Sequence, residues 1–295
     1  MIPFVFALLI LVGGSNSSVV KFSLLQFPPL VLVVLRALTA FVVLAPFILK
    51  TTRITTERKT FNLFLVNTLF AINWLTFAIG LQKTSVTMSQ LMYVPTSLIV
   101  AFLSAFILKE KFTKTQIIGL SITIFGALII AFESISGTSN SFGSLLGNAI
   151  VFFGVLCWSL YLVLSKKISH IYSPLTIIFY NFLVSFILAS ALVIANPSAR
   201  NFDFENITHV GFLSLAYIGI MSSSVYFYLN QWFIKHTSAF FSSLQIYPLT
   251  VIASILGAIF FHETITLSLI ISASLIMSGV YLATSFQYVK RNKHG

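Results

Sequence analysis

Amide and aromatic side chains recur inside runs that are otherwise apolar, and these residue types can hold a small solute by hydrogen bonds and ring contacts. Asn16 lies in a polar stretch from Gly13 to Ser18, Asn73 and Trp74 are adjacent, and Gln90 and Tyr93 stand three apart. Trp158 and Tyr161 repeat that spacing, and Tyr226, Asn230, Gln245 and Tyr247 follow. Residues three apart share one face of a helix, so each such pair can line one wall. An unpartnered amide in hydrocarbon is costly, so these groups must meet protein or water. Bonds between helices would satisfy any one of them. Taken together they read as the lining of a pocket for a small polar or amphipathic metabolite.

Arg36 is the cation set within an apolar run, seven residues after Pro29. At 1.5 Å per residue that is roughly 10 Å from the run's end, a depth at which a charge needs a partner or water. Two readings stay open. Arg36 either bonds helix-end carbonyls and snorkels outward, or faces the pocket and attracts a substrate carboxylate or phosphate. The six acids, Glu57, Glu110, Glu133, Asp203, Glu205 and Glu263, fall at or near run ends or in loops, as do the histidines. That pattern argues against a carboxylate relay at the membrane centre. Glu110 and Glu263 each follow a long run and are expected as interfacial caps, with a gating role as the sharper alternative. Pro95 and Pro248 each remove a backbone hydrogen bond inside a run, as gate hinges or as static kinks.

Composition decides what kind of element carries these groups. The 295 residues are 58% apolar and only 8% charged, with a mean hydropathy of +1.00. A soluble domain has roughly 25% charged residues, so the chain reads as a polytopic membrane protein. The net charge of +11 comes from Lys and Arg in short breaks between runs, which gives no basic face for nucleic acid. Cys157 is the single cysteine and packs as a small hydrophobe, so an intrachain disulfide or a Cys-based metal centre is ruled out. No Walker loop, dinucleotide fingerprint, His-Glu-x-x-His or Gly-x-Ser-x-Gly occurs. A non-enzyme without cofactor or metal is therefore expected. No cation precedes the first run, which reads as a retained span rather than a signal peptide.

Breaks at charges, Pro and polar clusters give ten runs of membrane-spanning length, at 2–20, 28–49, 61–81, 85–107, 114–132, 145–165, 173–194, 208–233, 238–260 and 266–287. The runs are continuously apolar rather than alternating, which favours an all-α bundle over a barrel. With a cytoplasmic N-terminus, thirteen cations fall inside: Lys50, Arg53, Arg58, Lys59, Lys109, Lys111, Lys114, Lys166, Lys167, Lys235, Lys290, Arg291 and Lys293. Lys21, Lys83 and Arg200 fall outside. This bias predicts that both termini are cytoplasmic.

The chain also repeats itself. Thr84-Ser85, Ser89, Pro95, Glu110 and Gly126 recur 153 positions later as Thr237-Ser238, Ser242, Pro248, Glu263 and Gly279. Lys21 and Pro29-Leu30 recur 145 positions later as Lys166 and Pro174-Leu175. Matches at a constant offset indicate a duplication. Five runs per half is an odd number, so the halves should thread the membrane in opposite directions, a frequent construction of secondary transporters with the site at the repeat interface. The expected organisation is a first repeat over 1–132, a linker over 133–144, an inverted repeat over 145–287 and a basic cytoplasmic tail over 288–295.

On Arg36, Pro95, Glu110, Gly119, Gly126, Trp158, Pro248, Glu263 and Gly279 the chain resembles the ten-helix EamA-type branch of the drug/metabolite transporter superfamily, over essentially its whole length. The resemblance implies a central cavity surrounded by the first four spans of each half, with the fifth and tenth at the periphery, where a homodimer could form. It departs at Gly13, where the counterpart of Trp158 is often Trp, which would open one side of the cavity. The resemblance implies gradient-driven exchange or export of amino-acid-like compounds across a plasma or inner membrane. A nucleotide-sugar, nucleoside or drug carrier is the rival within transport; a membrane-embedded enzyme or a scaffold is the rival of another class.

Overall fold

A computed structural model describes residues 1–48, 60–109, 113–136 and 144–263, together with parts of 267–283. Glu110, residues 137–143 of the linker, the tail 288–295 and most of the predicted inner cations lie outside the described residues. The architecture is all-helical. In order come α1 (Ile2–Leu24), α2 (Pro29–Ile48), α3 (Thr60–Gln82), α4 (Val86–Tyr93), α5 (Thr96–Ile107) and α6 (Lys114–Ser136). These are followed by α7 (Leu145–Ile168), α8 (Pro174–Ala195), the single turn α9 (Pro197–Arg200) and α10 (His209–Gly219). A π-helical turn (Ile220–Val225) leads into α11 (Tyr226–His236), α12 (Ala239–Ser243) and α13 (Ile246–Phe261).

Among the described residues, eight helical stretches are long and apolar enough to cross a membrane, and they coincide with predicted spans one to four and six to nine. The fifth predicted span is the 23-residue helix α6. Of the tenth, a shorter apolar helix is described over Ser274–Ala283. A helix satisfies every internal backbone group within its own segment, which is why continuous apolar runs fold this way in hydrocarbon. The helix starts are set locally. Ser85, Ser144, Ser173, Thr208 and Ser238 each accept a hydrogen bond from a backbone N–H of the first turn.

Helix α3 runs along α7 and α8, α2 along α8, and α1 along α13. Small residues let the backbones approach. A Cβ on Gly80 would stand 2.8 Å from the Gly147 carbonyl oxygen, so α3 and α7 touch through glycine. A Cβ on Gly119 would stand 2.6 Å from the Gly279 oxygen, which brings α6 against Ser274–Ala283. Outside the core, large apolar side chains such as Phe64, Phe106, Phe125, Phe153 and Leu213 are exposed. A surface of this kind suits lipid rather than water.

Two predicted spans are broken. The fourth turns at 94–95, between α4 and α5, and the ninth turns at 244–245, between α12 and α13. Pro95 sits in the first turn, and Val94 N–H bonds the Leu91 carbonyl that a residue other than proline at 95 would reach. Pro248 lies one turn past the second break, inside α13, and deprives the Leu244 carbonyl of its usual donor.

Candidate functional site

A cavity of about 70 Å³, room for roughly five waters, lies where α1, α2, α3, α4, α7, α11 and α13 converge. Its polar wall carries Asn16, Arg36, Asn73, Gln90, Tyr93 and Tyr226, and its aromatic wall includes Trp74 and Trp158. Eight of the residues singled out by type and spacing are thus brought together.

Arg36 is only 5% exposed. Its Nε donates to Ser223 Oγ at 2.8 Å, and its Nη2 donates to Asn16 Oδ1 at 2.8 Å and to the Ser222 carbonyl at 3.4 Å. The guanidinium carbon lies 4.2 Å from the Trp74 ring centroid. Neutral acceptors and a ring face thus disperse the charge, and among the described residues no carboxylate meets it. Nη1 bonds none of the described residues. Local backbone geometry makes this possible. In the π-helical turn, Ser223 and Ser224 hydroxyls donate five residues back, to the Ile218 and Gly219 carbonyls, and the widened turn leaves the Ser222 carbonyl facing Arg36.

On the opposite wall, Asn73 Nδ2 donates to Tyr93 Oη at 2.6 Å and to the Gly154 carbonyl at 2.9 Å. Tyr93 therefore accepts from Asn73 and keeps its own O–H to donate. The Gln90 side-chain amide bonds none of the described residues although the residue is buried. Tyr226 Oη donates to Gln245 Oε1 at 3.4 Å.

Four predicted lining residues stand outside the cavity wall, which corrects the expectation for them. Tyr161 is fully buried behind Trp158, stacked on it at 5.0 Å, and accepts from Asn181 Nδ2 at 2.7 Å and from Gln231 Nε2. Tyr247 is buried against α5, its hydroxyl bonded to Ser97. Gln245 is turned to the Ser242 carbonyl at 2.8 Å. Asn230 is fully buried one turn beyond Tyr226. For Tyr161, Tyr247 and Gln245 the reason is common: an amide or phenol satisfied by neighbouring protein groups has the same sequence signature as one facing a cavity.

Gly13 lines the cavity without opening it, another correction. A Cβ there would stand 2.6 Å from Leu249 Cδ2 and 2.8 Å from Tyr226 Cε2, so those two side chains fill the space a larger residue would take. Phe77, Phe227, Ile246 and Leu249 complete the wall and were not anticipated, because an apolar residue in an apolar run carries no signal. Ser222 and Ser223 were also missed. The run Ser222–Ser224 inside a span was the signal that could have marked them.

Glu263 is a cap. Its Oε1 accepts from Val86 N at 3.0 Å, and its Oε2 accepts from Thr87 N at 3.1 Å and from the Thr87 hydroxyl. It thus closes the N-terminus of α4, far away in sequence. His262, with φ 55°, supplies the left-handed reversal that aims it there. Beside it, Lys21 Nζ donates to the Leu81 and Thr84 carbonyls at 2.7 and 2.6 Å, closing the C-terminus of α3. At the other end of the bundle Lys166, 145 residues later, donates to the Ile234, Lys235 and Thr237 carbonyls at the end of α11.

Residues 2–132 and 145–285 match the EamA-like transporter family. An uncharacterized transporter of Bacillus subtilis, YyaM, is 26% identical over 72% of this chain and 70% of its own length. The WAT1-related protein At5g07050 of Arabidopsis thaliana is 26% identical over 85% of this chain and 71% of its own. Some other relatives are matched over only 55% or 62% of their own length. A crystal structure with 17% identity superposes at a TM-score of 0.75, covering 99% of this chain and 98% of that one, which shows the same fold.

Proposed function

The chain belongs to the EamA-like transporter family, and from that premise we propose that it is a gradient-driven carrier of small polar or amphipathic metabolites, an exporter or exchanger of amino-acid-like compounds. One observation carries the substrate reading: Arg36 stands in the cavity wall with Nη1 uncommitted and with no described carboxylate to neutralise it. A buried guanidinium in that state attracts a carboxylate, while Trp74, Trp158 and Phe227 suit the apolar part of the same solute. A nucleotide-sugar, with two or more negative charges, would meet a single guanidinium.

Alternation between two faces is supported by matched local devices in the two halves. Ser85 and Ser238 cap α4 and α12 in the same way. Lys109 and His262, also 153 apart, are both left-handed, with φ 56° and 55°. Asn73 and Tyr226 line the cavity at that same offset. On this reading the halves are inverted repeats, both termini are cytoplasmic, the membrane is a plasma or inner membrane, and the breaks beside Pro95 and Pro248 are hinges. A homodimer would use the periphery at α6.

The test is counterflow in proteoliposomes with a mixture of amino acids, nucleosides and amines. Uptake of a carboxylate-bearing amino-acid-like solute is expected. If no solute exchanges, the carrier reading is overturned and an enzyme or scaffold takes its place. Exchange confined to uncharged amines or nucleosides would reject the role given to Arg36.

A further inference from the structure

Beyond the cavity lies an aromatic level. Phe70 on α3 is wholly buried and is surrounded by Trp74, Trp158, Tyr161, Phe182 and Phe227, at ring-centroid distances of 4.9, 6.4, 5.3, 6.1 and 4.8 Å. These rings come from α3, α7, α8 and α11 and close the cavity on one side.

Past the rings, polar groups return. Helix α3 lies antiparallel to α7, since the C-terminal Lys83 carbonyl accepts from Ser144 N before α7 at 2.9 Å. Lys166, near the end of α7, caps the end of α11. The start of α3 therefore shares one end of the bundle with the ends of α7 and α11. Toward that end, Asn67 is one turn beyond Phe70 and Asn230 one turn beyond Phe227. Both asparagines are 0% exposed, and neither amide group has a hydrogen-bond partner among the described residues, although Asn230 lies close to the Tyr226 hydroxyl. Beside them runs the chain Asn181–Tyr161–Gln231–Ser165.

Four unmet amide atoms in a dry core are costly, and packing alone would favour leucine there. The duplication gives a reason for them. Cavity residues Asn16 and Arg36 correspond, at the 145 offset, to Tyr161 and Asn181, and cavity residue Phe77 corresponds, at 153, to Asn230. Three residues of the open wall thus have their counterparts in the closed polar layer, whereas Asn73 and Trp74 correspond to Tyr226 and Phe227 of the same cavity.

We infer that Asn67 and Asn230 form a second binding station, shut here by Phe70, which takes the hydrogen-bonding groups of the transported solute, and its accompanying water, when the opposite face opens. This rests on the alternating carrier proposed above. The amides are unmet in this state because their partners arrive only in the other one.

The experiment uses single cysteines in full-length protein, in a Cys157→Ser background, reconstituted in vesicles. The probe is a charged methanethiosulfonate that cannot cross the bilayer. The Asn16→Cys variant should react from one face, and the Asn67→Cys and Asn230→Cys variants only from the other. If these two stay silent from both faces while Asn16→Cys reacts, the second station is overturned and the cavity reading survives. If Asn16→Cys is silent as well, both readings fall. Asn67→Leu and Asn230→Leu provide a second measurement. Removing an unmet amide should raise the Tm while lowering counterflow. A lower Tm with counterflow unchanged would mark the asparagines as packing groups and overturn the station.

Discussion

Arg36 holds Asn16 at 2.8 Å, and 145 residues later the corresponding pair, Asn181 and Tyr161, is joined at 2.7 Å. One pair carries a charge and faces a cavity; the other is neutral and sealed. Their difference sets the order of the predictions.

Arg36→Lys keeps the charge and loses the planar fork that reaches Asn16 and Ser223 together. A charge-assisted hydrogen bond contributes about 1.5–3 kcal/mol, so flux of an anionic solute should fall about tenfold or more. Arg36→Gln should go further and shift preference from anionic to neutral solutes. Counterflow with matched pairs, an acid and its amide, measures this; unchanged preference would return Arg36 to a structural role.

Trp158→Ala removes a cavity wall, so flux should drop while the amount of protein in the membrane stays the same. Tyr161→Phe should act differently, because Tyr161 lies behind that wall. It strips the acceptor from two buried amides, Asn181 and Gln231, at about 1–3 kcal/mol each. Its signature is a lower Tm in detergent with an unchanged substrate KM. A raised KM with normal Tm would place the Tyr161 hydroxyl at the substrate.

Glu263→Gln weakens the cap on α4 by about 1 kcal/mol, since a neutral amide offers one acceptor oxygen in place of the charged pair. Hydrogen exchange at Val86 and Thr87 should quicken, with helices remote from α4 unaffected. Equal exchange in both proteins would show that solvent or another group satisfies those amides.

Pro248→Ala returns a donor to the Leu244 carbonyl and should straighten the break at 244–245. If the break is a hinge, the variant gains thermal stability and loses turnover, and Pro95→Ala does the same in the other half. Higher stability with unaltered turnover would make both breaks static.

Much of the fold was legible because membrane solvent imposes it. Continuous apolar runs of about 20 residues have one way to satisfy their backbone, so α1, α2, α3, α7 and α8 follow from composition alone. The placement of the ninth break was less legible. Pro248 marks the Leu244 carbonyl one turn upstream, which accepts from Tyr247 N–H at 3.3 Å instead of from residue 248, rather than the turn itself. Among the candidate site residues, Asn16, Asn73 and Tyr93 stand in the cavity wall, whereas Tyr247 and Gln245 stand outside it. Type and spacing report that a polar group must be satisfied, and they are silent on whether water or a neighbouring helix does it.

By itself the sequence determined the membrane-spanning helices, because a continuous apolar run leaves the backbone one way to satisfy itself in hydrocarbon. Only the tertiary structure decided which polar groups share one hollow. The Arg36 contacts with Ser222, Ser223 and Trp74, the reach of Glu263 to α4, and the sealing of Asn67 and Asn230 beyond Phe70 all join distant segments. Such contacts depend on helix rotation and register, which hydrophobicity in a bilayer constrains weakly because lipid and core are equally apolar.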